Sequence, residues 1–337
     1  LHIRQVPIVP IATNAGLIAW AEGGETIHSM ILCHRRIVGV EIKEEQKYIK
    51  NYVGDEATIG CDREYTLRMS SIQKLELHRE LCGLALDDDI RETLWLRSPN
   101  AELWLNATTN FARSSGLMSI IGYLIGMGDR HPSNILVMKG TGNVVHIDFS
   151  DIFEKASLRS YVHETVPFRL TRMIVRALGA SGIHGVFEMT AEYVMTLMRR
   201  NKETLLAFLD IFIQDPITDT IWYKNAASTP PPPPTATSTE SDSTTNNSLN
   251  SNNNNNNLEE KDEKEIDNKV NHFPPYYHIN EGSATLRKAM ARVSDKLNGR
   301  EFDGKLLTEH EQVTKLIEIA TSEMNLAQMY YGWSPFW

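Results

Sequence analysis

The stretch Gly128-Asp129-Arg130-His131-Pro132-Ser133-Asn134, answered downstream by Ile147-Asp148-Phe149, constrains this chain more than any other feature. Between them lie two short apolar runs, Ile135 to Met138 and Val144 to Ile147, parted by the turn formers Lys139-Gly140-Thr141-Gly142-Asn143. That pattern predicts a β-hairpin with a loop of about five residues. Positions equidistant from the turn face each other in an antiparallel pair, and Asn134 and Asp148 are equidistant from Thr141. The hairpin is therefore expected to bring a carboxamide and a carboxylate together at its open end, roughly 5 Å apart at Cβ. Mg2+ wants oxygen ligands of this kind and usually takes only one or two from protein, with phosphates and water supplying the rest. Asp129, on the same approach, is placed to accept a proton from an attacking hydroxyl. His131 is placed to hydrogen-bond a phosphate oxygen or share the base role. A lone Asp-Arg-His in a loop reads as a solvated turn or an ion pair. The Asp-x-x-x-x-Asn spacing, the hairpin and the Asp-Phe pair together point to phosphoryl transfer.

The Asp-Arg-His order, with His146-Ile147-Asp148-Phe149 after it, resembles the phosphatidylinositol-3-kinase-related protein kinases, which do not use the His-Arg-Asp order of ordinary protein kinases. The last residues, Tyr331-Gly332-Trp333-Ser334-Pro335-Phe336-Trp337, resemble the FATC tail of the target-of-rapamycin (TOR) type, and Val166 to Met173 is similar to that type too. The resemblance covers nearly the whole chain outside about 226–270. It implies an α+β, protein-kinase-like fold of the PI3/PI4-kinase type: mainly the helical large lobe and hinge, with a helical FATC tail. Residues 1–21 would be the end of the small lobe and the hinge, and 22–225 the large lobe. Within that lobe, 32–97 would be a partner-binding helical insert, 128–134 the catalytic loop and 148–168 the activation loop. Residues 226–270 would be a disordered insert, 271–304 the C-terminal kinase helices and 305–337 the FATC region.

In function, the resemblance implies a serine/threonine kinase that moves the ATP γ-phosphate, with Mg2+, to proteins controlling growth in response to nutrients. Asp129 would be the base and His131 would steady the phosphate. Asn134 and Asp148 would hold the metal. The adenine would sit beside Trp20, hydrogen-bonded to the Ala21 backbone, with Ile18 as gatekeeper and Leu136 and Ile147 completing the nucleotide site. From its residues alone, Trp20 reads as a core aromatic. The implied partners are a WD-repeat propeller subunit at about 32–97 and the substrate-recruiting scaffold subunits of a TOR complex. For 32–97 a solvated helical insert is the plainer alternative. The implied location is cytoplasmic, with peripheral association to endomembranes or the vacuole or lysosome allowed. The rival readings are a phosphoinositide lipid kinase and a non-catalytic scaffold. Lipid kinases of the superfamily carry a basic cluster in the activation loop, whereas here Glu154, Lys155, Arg159 and Glu164 are scattered. That favours a protein substrate. A phosphate-covering glycine-rich loop and its strand lysine do not precede the hinge. By the family's order they lie upstream, so the chain reads as cut within the small lobe and is expected not to bind ATP productively by itself.

Composition narrows the class. Lys plus Arg number 34 against 43 for Asp plus Glu, a net charge of −9, which argues against a general nucleic-acid surface. Cys33, Cys61 and Cys82 form no CxxC pair and read as reduced, core-packing thiols. No signal peptide is visible, and the longest apolar stretch, Gly116 to Met127, is too short to span a bilayer.

Apolar periodicity predicts helices from Thr26, from Ser71, over Thr108 to Gly126, over Phe187 to Phe212 with a stop at Gln214-Asp215-Pro216, over Thr285 to Leu297 and over Glu311 to Met324. Ser98-Pro99-Asn100 is expected to cap the Thr108 helix. Pro230 to Pro234 and Asn252 to Asn257 lie in a segment too polar to offset chain entropy. Two tryptophans and a phenylalanine in the last five residues would be costly in water. They are expected to dock on the large lobe and brace the activation loop, a membrane interface being the alternative. Ser150 stands where the usual Asp-Phe-Gly has glycine; it would stiffen the loop if φ there is positive and be harmless otherwise.

Overall fold

The computed structural model describes residues 3–12, 15–53, 69–156, 164–214, 281–302 and 305–337. The expectations for 226–270, for 54–68 and for the middle of the activation loop, 157–163, fall outside them. The chain divides into two units. The first holds Leu1–Ile211 and Lys288–Trp337, and the second Phe212–Arg287. All that follows concerns the first.

Its strands are β1 (Ile8–Ala12), β2 (Ala15–Ile18), β3 (Gly24–Thr26), β4 (Ile135–Met138) and β5 (Val144–His146). Its helices begin with α1 (Ile27–Val38), α2 (Lys43–Val53), α3 (Ser71–Leu84), α4 (Asp89–Leu96) and α5 (Ala101–Leu124). They continue with α6 (Arg172–Ala177), α7 (Glu188–Arg200), α8 (Lys202–Gln214), α9 (Glu281–Asn298), α10 (Glu309–Thr321) and α11 (Glu323–Gln328). Helices dominate and two small antiparallel sheets accompany them, so the α+β expectation holds.

The helix starts are written in local chemistry. Thr26 accepts the Ser29 N–H at 3.1 Å, and Asn100 accepts the Leu103 N–H at 2.9 Å. Ser70 with Gln73, and Thr308 with Glu311, form capping boxes. α5 therefore starts at Ala101, well ahead of the expected Thr108. Its first turns leave Leu103 and Leu105 exposed, so apolar spacing could not mark a beginning that the Asn100 cap fixes. Further along, α5 runs through the centre of the main core. Phe111 and Ile120 are fully buried there, among Leu77, Leu81 and Ile90 from α3 and α4 and Val194, Met195, Val313 and Leu316 from α7 and α10. A Cβ at Gly116 would come within 2.6 Å of the Phe187 carbonyl, so glycine lets α5 and the turn before α7 close on each other.

Two expectations change. The first is the hairpin register: Ile135 pairs with His146, Leu136 with Val145 and Val137 with Val144. The Met138 N–H bonds the Asn143 carbonyl at 2.9 Å, and the Ile147 N–H bonds the Asn134 carbonyl at 3.1 Å. The turn is thus the four residues Lys139 to Gly142, and Asn134 faces Ile147, not Asp148. β3 adds a third strand, with Thr26 opposite Leu136, and so carries the segment after Ala21 against the hairpin.

The second concerns 32–97. Leu77, Leu81, Ile90 and Leu94 belong to the main core, so α3 and α4 are part of the lobe itself. An apolar core face and a partner-binding face coexist on such helices, and periodicity reports only the first. Of the thiols, Cys82 is half-buried and packs against the main core as expected, Cys33 is exposed, and Cys61 lies outside the described residues.

The tail docks. Phe336 and Trp337 enter the main core, and Trp333 joins Leu326, Met329 and Val166 in a separate cluster. The Trp337 Nε1–H donates to Glu45 Oε2 at 2.6 Å, its ring lies 5.2 Å from the Arg35 guanidinium carbon, and Arg35 pairs with Glu45. Trp337→Ala should remove that packing and leave two buried charges less well shielded. It is expected to cost about 3 kcal/mol or more, read as a lower unfolding midpoint of the full-length protein in denaturant.

Candidate active site

The catalytic-loop residues gather because one buried arginine draws two loops together. Arg130 is 2% exposed. Its Nε–H donates to the Gly128 carbonyl at 2.7 Å, its Nη1 to the Ile147 carbonyl at 2.7 Å, and its Nη2 to the Asp148 carbonyl. Only a guanidinium offers donors in so many directions from one side chain. Burial lowers its pKa, while Asp129 and Asp148 are the first charges that oppose this. The Asp129-Arg130-His131 loop and the Asp148 turn are thereby held face to face.

Asp129 and Asp148 both have left-handed backbones, with φ of 58° and 59°. Non-glycine residues are uncommon there, and such strain persists where surroundings fix it. At Asp129 the surroundings are side chains. Its N–H donates to Glu164 Oε1 at 2.6 Å, and its carbonyl accepts Asn134 Nδ2 at 2.9 Å. The second bond also sets the Asn134 amide. With Nδ2 spent on Asp129, Oδ1 is the atom left for a cation. At Asp148 the left-handed φ ends strand alternation, so the register change leaves its side chain free of the face that β5 dictates.

The electrostatics suit a metal and a phosphate. Hydrogen bonds from the Ser150 side chain and backbone, with the Arg130 charge behind them, hold the Asp148 carboxyl below its usual range. It is exposed and ionised. Ser150 is absent from the residues with positive φ, so its departure from glycine does no harm here. Its N–H caps the Asp148 carboxyl. Burial lowers the His131 pKa, with Asp129 the main opposing charge. The Ser133 N–H donates to His131 Nδ1 at 3.2 Å. A neutral ring that accepts at Nδ1 carries its proton on Nε2, where it can donate to a phosphate oxygen.

The nucleotide residues divide. Ala21, Leu136, Met138 and Val145 form one small buried cluster, with Ile147 packed against it. Ile18 and Trp20 do not join it: they are 71% and 75% exposed. They lie on or just after the two-stranded β1–β2 sheet, whose residues are all exposed among those described. Trp20 is therefore not a core aromatic. The cluster supplies an apolar floor for a base, and Asn134 Oδ1 and Asp148 supply hard oxygen donors nearby in sequence. That donor set fits Mg2+ with a polyphosphate.

Three features escaped sequence reading. The sequence reading gives Arg130, between Asp129 and His131, no role of its own. Glu164 was read only as one of several scattered charges. Third, the start of the activation loop packs on the catalytic loop: Gly128 N–H bonds Asp151 at 2.7 Å and Glu154 N–H bonds Gly126 at 2.8 Å. An added Cβ at Gly128 would overlap Ala156. The Gly126 and Gly128 pair was the available signal.

Helical lobe, three-stranded hairpin sheet and paired acids define a protein-kinase-like phosphotransferase fold. Residues 1–221 match the family Phosphatidylinositol 3- and 4-kinase, and 306–337 match the FATC domain. The chain belongs to the PI3/PI4-kinase family, in its TOR branch. It is 34% identical over 340 residues to "Serine/threonine-protein kinase mTor" of Drosophila melanogaster. It is 36% identical to "Serine/threonine-protein kinase TOR" of Arabidopsis thaliana over 365 residues, and 36% to "Serine/threonine-protein kinase TOR2" of Saccharomyces cerevisiae over 340. All of this chain is covered, but only 13%, 14% and 13% of those proteins. The chain thus spans about one seventh of the length of these relatives. Among solved structures, "Tel1 kinase butterfly symmetric dimer" superposes with a TM-score of 0.68 at 23% identity, over 100% of this chain and 12% of that one. That likeness shows the fold.

The buried histidines give a pH signature. Burial, and after it the Arg130 charge, pushes His146 from 6.5 down to about 3, and burial also lowers His28 and His131. A histidine whose pKa the fold lowers binds protons more readily once unfolded, so these groups cost stability as pH falls below 6.5, His146 most of all. His146→Gln should reduce the pH slope of unfolding free energy by about one proton between pH 6 and 4, measured by denaturant titrations across that range.

Proposed function

We propose that this chain is the catalytic region of a serine/threonine protein kinase that transfers the ATP γ-phosphate, with Mg2+, to protein hydroxyls. The observation that carries the proposal is the Arg130 clasp, which holds the Asp129 loop against the Asp148 turn. In this reading Asp129 accepts the substrate hydroxyl proton, and His131 Nε2–H steadies the transferring phosphoryl. Asn134 Oδ1 and Asp148 hold the metal. Mg2+ would supply charge neutralisation at the β- and γ-phosphates. Ala21, Leu136 and Ile147 would underlie the adenine, with Ile18 and Trp20 at its edge.

The protein-substrate reading rests on the absence of a basic cluster in the activation-loop sequence and on the FATC match. By analogy with the TOR relatives, the proposal extends to nutrient-responsive growth control, to scaffold subunits that recruit substrates, and to a WD-repeat propeller partner at about 32–97. A cytoplasmic site of action, with peripheral association to endomembranes or the vacuole or lysosome, belongs to the same proposal.

Asp148→Ala in the full-length protein should lower peptide phosphorylation on the order of a thousandfold or more, with circular dichroism and melting unchanged. Retained phosphorylation by the folded variant overturns the metal assignment. Phosphoinositide turnover without peptide phosphorylation in the unmodified protein overturns the substrate class.

A further inference from the structure

We infer that Glu164 is a positioning residue for the proposed base, resting on the kinase reading above, and that it delivers the hold of the C-terminal tail to Asp129. The geometry is direct. Asp129 needs a left-handed backbone, φ 58°, to face both the hairpin mouth and the incoming hydroxyl. Its N–H is held by no backbone carbonyl of the loop. It is held by Glu164 Oε1 at 2.6 Å, from the far end of the activation loop. A charge-assisted bond of that length is among the stronger ones available to a peptide group. Arg130 and Arg169, both buried, each feel the Glu164 charge as a stabilising neighbour.

What fixes Glu164 is the tail. Thr165, the next residue, donates its hydroxyl to the Asn325 carbonyl at 2.7 Å, and its N–H points to Met329 Sδ at 3.4 Å. Val166 packs with Leu326, Met329 and Trp333. Arg169 donates to the Trp333 and Ser334 carbonyls at 2.6 and 2.7 Å and lies over the Trp333 ring, its guanidinium carbon 4.3 Å from the centroid. Thr165, Val166 and Arg169 thus tie the tail to the segment whose Glu164 holds the peptide of the acid. The activation-loop end transmits tail docking as one hydrogen bond.

The reading requires an acceptor at a fixed reach, not a charge. Glutamine keeps that acceptor, aspartate withdraws it by one methylene, and alanine deletes it. In the full-length protein, Glu164→Ala and Glu164→Asp should lower kcat for peptide phosphorylation about ten- to a hundredfold. KM for ATP should stay within about twofold, since nucleotide floor and metal ligands are untouched. Glu164→Gln should keep kcat within about threefold of the unmodified protein. Binding of a fluorescent ATP analogue with Mg2+ should be equal in all four, which also shows that the variants fold. If Glu164→Asp is fully active, or Glu164→Gln falls as far as Glu164→Ala, the positioning role is overturned. If the unmodified protein phosphorylates no peptide while binding the nucleotide, the kinase reading itself fails, and this inference with it.

Discussion

The site depends on a buried cation whose partners are backbone carbonyls. Arg130 satisfies Gly128, Ile147 and Asp148 at once. A buried guanidinium without partners would be costly, so the loops that supply those carbonyls have to stay where the arginine can reach them. The constraint runs both ways: the loops hold the charge, and the charge holds the loops. Asp129 and Asp148 then keep left-handed backbones that neither would hold in an isolated peptide, because Glu164, Asn134 and Ser150 hold the groups around them.

A second layer stands behind this one. α1 and α4 carry Arg35 and Asp89, joined at 2.8 Å, and Asp89 also takes His34 Nδ1 at 2.6 Å. Glu45 completes the set and receives Trp337. The end of the chain thus plugs into a charge cluster made by its first helices, and the Trp337 ring lies 5.7 Å from His28, whose N–H bonds the Pro132 carbonyl of the catalytic loop at 3.1 Å. Arg172 repeats the device, donating to the Phe336 carbonyl at 2.7 Å and to the Ala85 carbonyl at 2.5 Å. The tail is a structural member of the large lobe. The polar edges of its aromatic residues explain why an amphipathic plug suits this place better than a purely aliphatic one.

Much of this was legible in residues alone. The hairpin, the cap at Asn100, and the docking of Trp333 to Trp337 follow from turn chemistry, capping chemistry and the cost of exposed aromatics. The meeting of the Asp129–Asn134 loop with the Asp148 turn was legible in the spacing of those residues about the hairpin. What stayed hidden was what depends on backbone. The turn closed on four residues because Met138 pairs with Asn143, and no residue type announces that choice over a five-residue loop. The three bonds of Arg130 end on carbonyls, which every residue has. Glu164 reaches Asp129 across thirty-five positions, and no local pattern encodes a contact of that span. The exposure of Ile18 and Trp20 was missed for a different reason: an apolar run predicts a strand without saying what covers it.

The entry of α9 shows how the fold keeps its register across a long excursion. Residues 215–280 lie between α8 and α9 in the sequence. The difficulty is specificity, since an amphipathic helix returning from so far could seat itself in several ways. Its seat is set by polar groups. Lys296, 3% exposed, donates to the Tyr123 carbonyl at 2.7 Å and pairs with Glu154 at 2.7 Å, while Arg292 grips Glu154 and Glu301 at 2.9 and 2.8 Å. Tyr123 bonds Glu301 and takes the Gln312 amide at 2.9 Å. Buried ion pairs add little net stability, but a misplaced helix would strand the buried Lys296 charge. The network therefore acts by penalising wrong seats. It includes Glu154, a residue with φ of 59° at the start of the activation loop, whose carboxyl is held at about 2 by Arg292 and Lys296 against the opposing cost of burial. The helix after the excursion is thus registered on the same segment that packs against Gly126 and Gly128. Seating α9 and shaping the catalytic loop become one event.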